Sequence, residues 1–118
     1  MIDVTSEAGS NLVIVRMSGT VTEEDQQRPF EKMAAAADTE RVERVLLDWS
    51  DLQGWAPGAR SSGTWFGMHH WALVGRIAIL AERKWEDEVM RITDVYRAAT
   101  VRRFGTSERQ AALDWLRD

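Results

Sequence analysis

Residues 44–59 have the sequence RVLLDWSDLQGWAPGA, and this stretch determines the architecture that the rest of the chain must fit. It starts with an uninterrupted apolar run at 45–47, which is typical of a strand buried on both faces of a parallel sheet. We therefore predict a central strand here, followed by a loop over 50–58. Pro57 suits the first turn of a following helix, because its fixed φ and missing N–H are tolerated there.

The segments before this strand predict a hairpin and then a helix. Apolar residues in 2–4 and 12–17 are separated by a turn-forming cluster at 8–11, so the first two strands should pair antiparallel. Thr22 and Asp25 then have the spacing of a helix-capping pair, and an apolar stripe with helical period follows them.

The segments after the central strand continue the alternation of helices and strands. Residues 61–75 predict a second helix, 77–80 a second buried strand, and a third helix starts at about Trp85. Residues 101–104 carry two arginines, which suits an edge strand. Thr106 or Ser107 should cap a final helix with an inner face of Ala111, Ala112, Trp115 and Leu116. The predicted order is ββαβαβαβα.

Composition restricts the class of protein. The length of 118 residues favours a single domain over 1–118. Cysteine is absent and the first residues lack the pattern of a signal peptide, so we expect a cytoplasmic protein. The formal net charge is −4 and no basic stripe is present, so nucleic acid is not expected as a partner.

The stretch SSGTWFGMHHWALVG at 61–75 contains no charged side chain. A helix that is apolar on all sides must be buried or must meet a ligand, a partner or a lipid surface. It would be about 22 Å long, which is too short for the roughly 30 Å core of a bilayer. Adjacent His69 and His70 point about 100° apart on a helix and cannot chelate one metal ion. We expect no metal, no cofactor and no catalytic residue, since a GxSxG motif is also absent.

Tryptophans are predicted to meet at the carboxyl ends of the parallel strands, where open α/β sheets bind ligands. Indole rings combine a large apolar body with one donor, which suits nonpolar ligands and the water–lipid interface, and Lys84 or Arg83 could bind an acidic head group. Trp49 and Trp115 are assigned to the core instead. The predicted ligand-binding residues are Trp55, Trp65, Phe66, Met68, Trp71, Lys84 and Trp85.

Five stretches resemble the SpoIIAA-like family, which is distantly related to STAS domains: VRMSGTVTEEDQQRPFEKM, LLDWSDLQGWAPGA, WFGMHHWALVGRIAIL, ERKW and AALDWL. They contain GxxTxED, DxxGWxPGA and RIAIL in this order, and the resemblance extends nearly end to end. It implies a STAS-like α/β fold similar to lipid-transfer domains, often dimeric, in which helices can open over an apolar cleft. The fold class is therefore a STAS-like single layer, with a mixed, mostly parallel five-stranded sheet and about four helices.

Two functions follow from these observations. The first is a non-catalytic module, most simply a homodimer, that binds a small nonpolar ligand or associates peripherally with a membrane. The second comes from resemblance: anti-sigma-factor antagonists carry Asp-Ser-Ser-Gly at the corresponding helix start, and Arg60-Ser61-Ser62-Gly63 is similar, with Arg60 in place of the acid. This resemblance would make Ser62, or its neighbour Ser61, a phosphorylation site. The alternative is that these small polar residues only start the helix.

Overall fold

A single five-stranded sheet organises the molecule, seen in a computed structural model that describes residues 1–7, 11–39, 42–59 and 74–118. The strands lie in sequence order across the sheet. The first pair is antiparallel and the other three pairs are parallel, which confirms the predicted hairpin and the mixed, mostly parallel sheet. The strands are β1 (Ile2–Glu7), β2 (Leu12–Val21), β3 (Arg44–Trp55), β4 (Arg76–Leu80) and β5 (Thr100–Phe104).

The described residues contain three α-helices, whereas four were predicted. These are α1 (Glu23–Thr39), α2 (Glu86–Val95), which follows a short 3-10 turn at Arg83–Trp85, and α3 (Arg109–Arg117). The predicted second helix falls almost entirely on residues 60–73, which lie outside the described residues. None of the helices in the described part of the chain is long and apolar enough to cross a membrane.

The predicted cap of α1 is present. The backbone N–H of Asp25 donates to the Thr22 hydroxyl at 3.1 Å, and the backbone N–H of Thr22 donates to the Asp25 carboxylate at 3.0 Å. Hydrogen bonding of the Asp25 carboxyl to the backbone N–H of Thr22 and, second, to the Thr22 hydroxyl lowers the pKa of Asp25. The GxxTxED pattern therefore encodes the connection from β2 into α1.

The central position of β3 is confirmed, but its predicted end is wrong. The strand continues to Trp55, because β2 is long enough to pair with it over Ser18–Val21, as in the pairs Ser18 with Asp51 and Val21 with Trp55. The loop predicted over 50–58 is therefore confined to residues after Trp55. Asp51 and other polar residues interrupt the apolar run, so the sequence pattern did not predict that the strand continues to Trp55.

Side chains of β3 and β4 alternate between two separate cores. Val45 and Ile77 belong to a larger core, which α1 and α2 cover. Leu46 and Leu80 point to the opposite face and join a smaller core under α3. A strand buried on both faces is the arrangement that a continuous apolar sequence predicts.

The start of α3 and part of its inner face differ from the prediction. The helix begins at Arg109, and neither Thr106 nor Ser107 caps it; Glu108 occupies the N-cap position, and its carboxylate accepts the backbone N–H of Gly105 at 2.7 Å. Ala111 is exposed, because the helix packs through Ala112 and Leu116 and this leaves position 111 on the solvent side. The buried residues of α3 are Ala112 and Leu116, with Leu113 and Trp115 half-buried beside them.

Arg76 at the start of β4 attaches α3 to the sheet. Its Nη1 donates to the backbone oxygen of Trp115 at 2.6 Å, and its guanidinium lies 5.4 Å from the centre of the Trp115 ring. The Trp115 ring also packs against Phe104, with 5.9 Å between ring centres. One side chain thus binds both the backbone and the aromatic ring of the last helix.

We predict that Arg76→Ala lowers the free energy of unfolding by about 1–3 kcal/mol, because it removes a charge-assisted hydrogen bond and a cation–π contact. Urea denaturation followed by circular dichroism measures this change. Arg97→Ala is the matched control, since Arg97 is exposed and should change stability by less than about 0.5 kcal/mol. Equal stability of the two variants would show that Arg76 does not hold α3.

Candidate functional site

Three tryptophans form an edge-to-face array at the carboxyl ends of β3 and β4. The ring centres of Trp49 and Trp55 are 5.4 Å apart with an interplanar angle of 85°. Those of Trp55 and Trp85 are 5.6 Å apart at 82°. These distances and angles are within the range in which aromatic pairs attract beyond simple burial. We call these three residues the tryptophan array.

Two irregularities in β3 place its tryptophans on one side of the sheet. Arg16 pairs with Asp48 and Ser18 with Asp51, so β3 contains one residue more than β2 over this interval, and a second shift follows between Gly19 and Thr20. Each extra residue reverses the alternation of side chains. As a result Trp49, Leu52 and Trp55, spaced by three residues, all contact the larger core.

The 3-10 turn after β4 positions Trp85. The backbone N–H of Trp85 donates to the oxygen of Glu82 at 3.1 Å, and this closes the turn. Lys84 lies in the same turn, with its Nζ 5.3 Å from the centre of the Trp85 ring and 3.4 Å from the Glu82 carboxylate. An exposed ammonium group therefore stands at the outer end of the tryptophan array.

Two indole donors of the array have no acceptor among the described residues. Trp49 is only 2% exposed, and its Nε1 is shielded from solvent, as is the Nε1 of half-buried Trp85. A buried donor without a partner costs about 1–3 kcal/mol. An acceptor that reached these nitrogens would recover that free energy, so the array is suited to bind a group with an oxygen acceptor.

Gln26 in α1 is a site residue that the sequence reasoning missed. It is 2% exposed, and its Nε2 donates to the backbone oxygen of Ala59 at 2.8 Å, while its Oε1 has no partner among the described residues. The bond holds the end of the segment that leads from Trp55 toward residue 60. Its position four residues before Phe30 placed it on the inner side of α1, and this spacing was the available signal.

Several ionisable groups of the described residues are engaged in contacts within the fold. No group of three or more potential metal ligands occurs among the described residues. The buried carboxylate Asp48 pairs with Arg109 at 3.0 Å, and it also accepts the backbone N–H of Ser50. Burial raises the pKa of the Tyr96 hydroxyl, so this group stays protonated at neutral pH. These contacts stabilise the fold.

The structure brings together some of the predicted ligand-binding residues and does not describe the others. Trp55, Lys84 and Trp85 lie next to one another. Trp49, assigned to the core, is buried as predicted and also belongs to the array. The remaining predicted positions lie outside the described residues: Trp65, Phe66, Met68 and Trp71, the two histidines, and Ser61 and Ser62.

The described residues form an α/β fold, a mixed five-stranded sheet with helices on both faces. The family model described as SpoIIAA-like matches residues 12–117, and the chain belongs to this family. The resemblance seen in the sequence is thereby confirmed. No protein of curated function matches the chain in sequence.

Solved structures share the fold at low sequence identity. An uncharacterized protein of the DUF3478 family from Shewanella loihica is 20% identical with a TM-score of 0.69, and the match covers 98% of this chain and 92% of that one. The anti-sigma factor antagonist SpoIIAA in its unphosphorylated form is 14% identical with a TM-score of 0.71, covering 99% and 98%. The Bacillus cell fate determinant SpoIIAA in its phosphorylated form is 12% identical with a TM-score of 0.65, covering 96% and 99%.

We predict that Trp85→Phe leaves the free energy of unfolding within about 1 kcal/mol of the wild-type value, because it keeps an aromatic ring against Trp55 and removes an unsatisfied donor. Trp85→Ala should lose about 2 kcal/mol or more, since the contact itself is deleted. Chemical denaturation of the two variants compares these losses. A large loss in the Phe variant would mean that the indole N–H has an acceptor in the folded protein.

Proposed function

We propose that this protein is a non-catalytic, cytoplasmic STAS-like module that binds a small nonpolar ligand carrying a hydrogen-bond acceptor. The observation that supports this proposal is the pair of shielded indole donors, on Trp49 and Trp85, with no acceptor among the described residues. A ligand oxygen at this site replaces the missing partner. Binding then gains free energy that the ligand-free fold does not have.

The rings of the array provide the apolar part of the site. A tryptophan buries about 150–250 Å² when it is fully enclosed, and Trp55 and Trp85 are only half-buried. The surface that remains is enough for an alkyl chain or an aromatic ring. A nonpolar body therefore packs against Trp55 and Trp85, with its acceptor toward the indole nitrogens.

Lys84 determines which head group the ligand carries. Its ammonium already contacts the Trp85 ring and Glu82, and both are exposed contacts that a competing anion displaces at little cost. A carboxylate or phosphate on the ligand would take the place of Glu82. A fatty acid is the simplest molecule that combines this head group with a nonpolar body.

Residues 61–75 complete the site in this proposal. The apolar side chains of Trp65, Phe66, Met68 and Trp71 are proposed as further ligand contacts, and the Gln26 contact to Ala59 holds the described residue that precedes their segment. If these side chains stay uncovered, they allow two further modes of association. One is a homodimer and the other is peripheral attachment to a membrane.

We predict that oleate quenches or blue-shifts the tryptophan fluorescence with saturable, stoichiometric binding, because it excludes water from the array. Trp85→Phe and Lys84→Glu should each weaken binding at least about tenfold, a loss of 1.4 kcal/mol or more. Trp115→Phe is the matched control, since Trp115 packs in the smaller core on the other face and should not change the affinity.

Three results would contradict or redirect the proposal. Absence of any response to oleate or to vesicles of phosphatidylglycerol would refute it. Binding to vesicles but not to monomeric oleate would show that this surface contacts a membrane and does not bind a single ligand molecule. A response that persists in Trp85→Phe and disappears in Trp115→Phe would assign the ligand to the opposite face of the sheet.

A second candidate is a regulatory protein switched by serine phosphorylation. It is favoured by the fold shared with SpoIIAA, which is known in an unphosphorylated and a phosphorylated form. Phosphate at a helix N-terminus beside Arg60 would be electrostatically favourable. In this chain Ser62 would accept the phosphate, with a kinase and a sigma-factor antagonist as partners.

The two candidates make opposite predictions for Ser62→Asp. If the serines only start the helix, the variant should bind oleate within about threefold of the wild type, a difference below 1 kcal/mol. Phosphoserine at residue 62 in cells, together with loss of a partner protein from Ser62→Asp pulldowns, would establish the switch instead. Ser61→Asp is the matched control, because it introduces the same charge at the neighbouring residue.

A further inference from the structure

The outer edge of β1 has no neighbouring strand among the described residues. Within the described sheet β1 pairs only with β2, and the backbone groups of Met1 and Ser18 exchange two hydrogen bonds at 2.9 Å. Because an antiparallel strand directs its backbone to alternate sides, Asp3 and Thr5 also bond toward β2. Ile2, Val4 and Ser6 therefore direct their N–H and C=O groups away from the sheet.

A groove of about 860 Å³ runs along this edge, between β1 and α1. Asp25 lies 3.6 Å from the Met1 nitrogen, and the Lys32 Nζ donates to the backbone oxygen of Val4 at 2.9 Å. From Asp25 to Lys32 the helix advances seven residues, or about 10 Å, and from Met1 to Val4 the strand advances three residues, also about 10 Å. The two elements therefore run alongside each other. The lining residues are Met1, Ile2, Asp3, Val4, Thr5, Glu24, Asp25, Gln27, Arg28, Pro29 and Lys32.

The helix side of the groove has an acidic end and a basic end. Glu24 and Asp25 precede Arg28 and Lys32 along the helix, with Asp25 beside Met1 and Lys32 beside Val4. The two charged pairs are separated by about 8 Å along the helix axis. Side chains two residues apart on one face of an extended chain are separated by almost 7 Å, which is close to this spacing.

We propose that this groove binds an extended peptide segment, which joins β1 as an antiparallel sixth strand and carries an acidic residue, any residue, and then a basic residue. The peptide backbone bonds to Ile2, Val4 and Ser6. Its acidic side chain contacts Arg28 and Lys32, and its basic side chain contacts Glu24 and Asp25. Lys32 holds the Val4 oxygen while the groove is empty and turns to the peptide when it binds.

A second copy of the chain fits this edge less well. If two copies of the protein paired their β1 strands about a two-fold axis, the longest pairing would be centred on Val4. Ile2 of one copy would then lie opposite Ser6 of the other. Each copy would then bring its Lys32 ammonium, bonded to the Val4 oxygen, to the symmetry axis. Two like charges would meet there, whereas a lone peptide strand brings a carboxylate to the same place.

The test uses fluorescein-labelled peptides with blocked ends and the full chain. Fluorescence anisotropy should detect binding of Thr-Val-Glu-Val-Lys-Val-Thr, and the charge-swapped Thr-Val-Lys-Val-Glu-Val-Thr should bind at least tenfold more weakly. In the wild-type complex the amide signals of Ile2 and Val4 should shift in nuclear magnetic resonance spectra.

Backbone methylation tests the added strand without any change in the protein. The glutamate and lysine of the peptide face the same side of the sheet as Val4, so their N–H groups point at β1 in the antiparallel arrangement. N-methylation of these two residues should abolish binding. N-methylation of two valines, whose N–H groups point outward, should change the affinity less than threefold.

Charge variants of the protein test the partner chemistry. Arg28→Glu combined with Lys32→Glu should weaken binding of the first peptide at least tenfold and should favour the charge-swapped peptide. Arg97→Glu is the matched control, because Arg97 is exposed and does not line the groove; this variant should bind both peptides as the wild type does.

Each contrary result overturns the inference. Equal binding of both charge orders removes the proposed recognition, and equal effects of the two methylation patterns remove the added strand. A dimer in sedimentation that dissociates in Val4→Pro would make a second copy the occupant of the edge. The site shares no residue with the tryptophan array, so failure of oleate binding leaves these outcomes unchanged.

Discussion

The pairing of β2 with β3 is the constraint on which the rest of the structure depends. Ten residues of β2 pair in parallel with the twelve residues of β3, and the two extra residues are absorbed at two irregular points. The first residues of β3 are buried on both faces of the sheet, and they contribute side chains to both cores. The irregular points lie between and beside Trp49, Leu52 and Trp55, and they leave all three side chains on one side of the sheet. The same pairing therefore determines both the layering of the protein and the position of its aromatic array.

The two cores of the sheet differ in how their polar groups are bonded. The smaller core is closed by α3, with Arg76 fixing the backbone and the ring of Trp115. The larger core lies under α1 and α2, and the buried polar atoms without a partner among the described residues lie on this side: two indole donors and one amide oxygen. The face covered by α1 and α2 therefore combines most of the buried apolar residues of the described chain with its unsatisfied polar groups.

Elements with strong local signals were predictable. The capping pair Thr22 and Asp25, the apolar run at 45–47 and the strand at 77–80 depend on neighbours within a few residues, and all of them appear in the structure. Weak local signals gave errors. Thr106 and Ser107 are good capping residues in isolation, yet Glu108 bonded to Gly105 holds the loop and moves the helix start to Arg109.

The sequence by itself determined the five strands, the mixed sheet and the family, because hydrophobic period and turn chemistry are local properties and the motifs extend along most of the chain. Only the tertiary structure decided that β3 reaches Trp55, since that extension depends on the hydrogen bonds of another strand. It also decided that Gln26 is buried against Ala59 and that two indole donors of the tryptophan array are shielded from solvent. These features depend on distances between residues far apart in the chain, and side-chain patterns in the sequence carry no information about such distances.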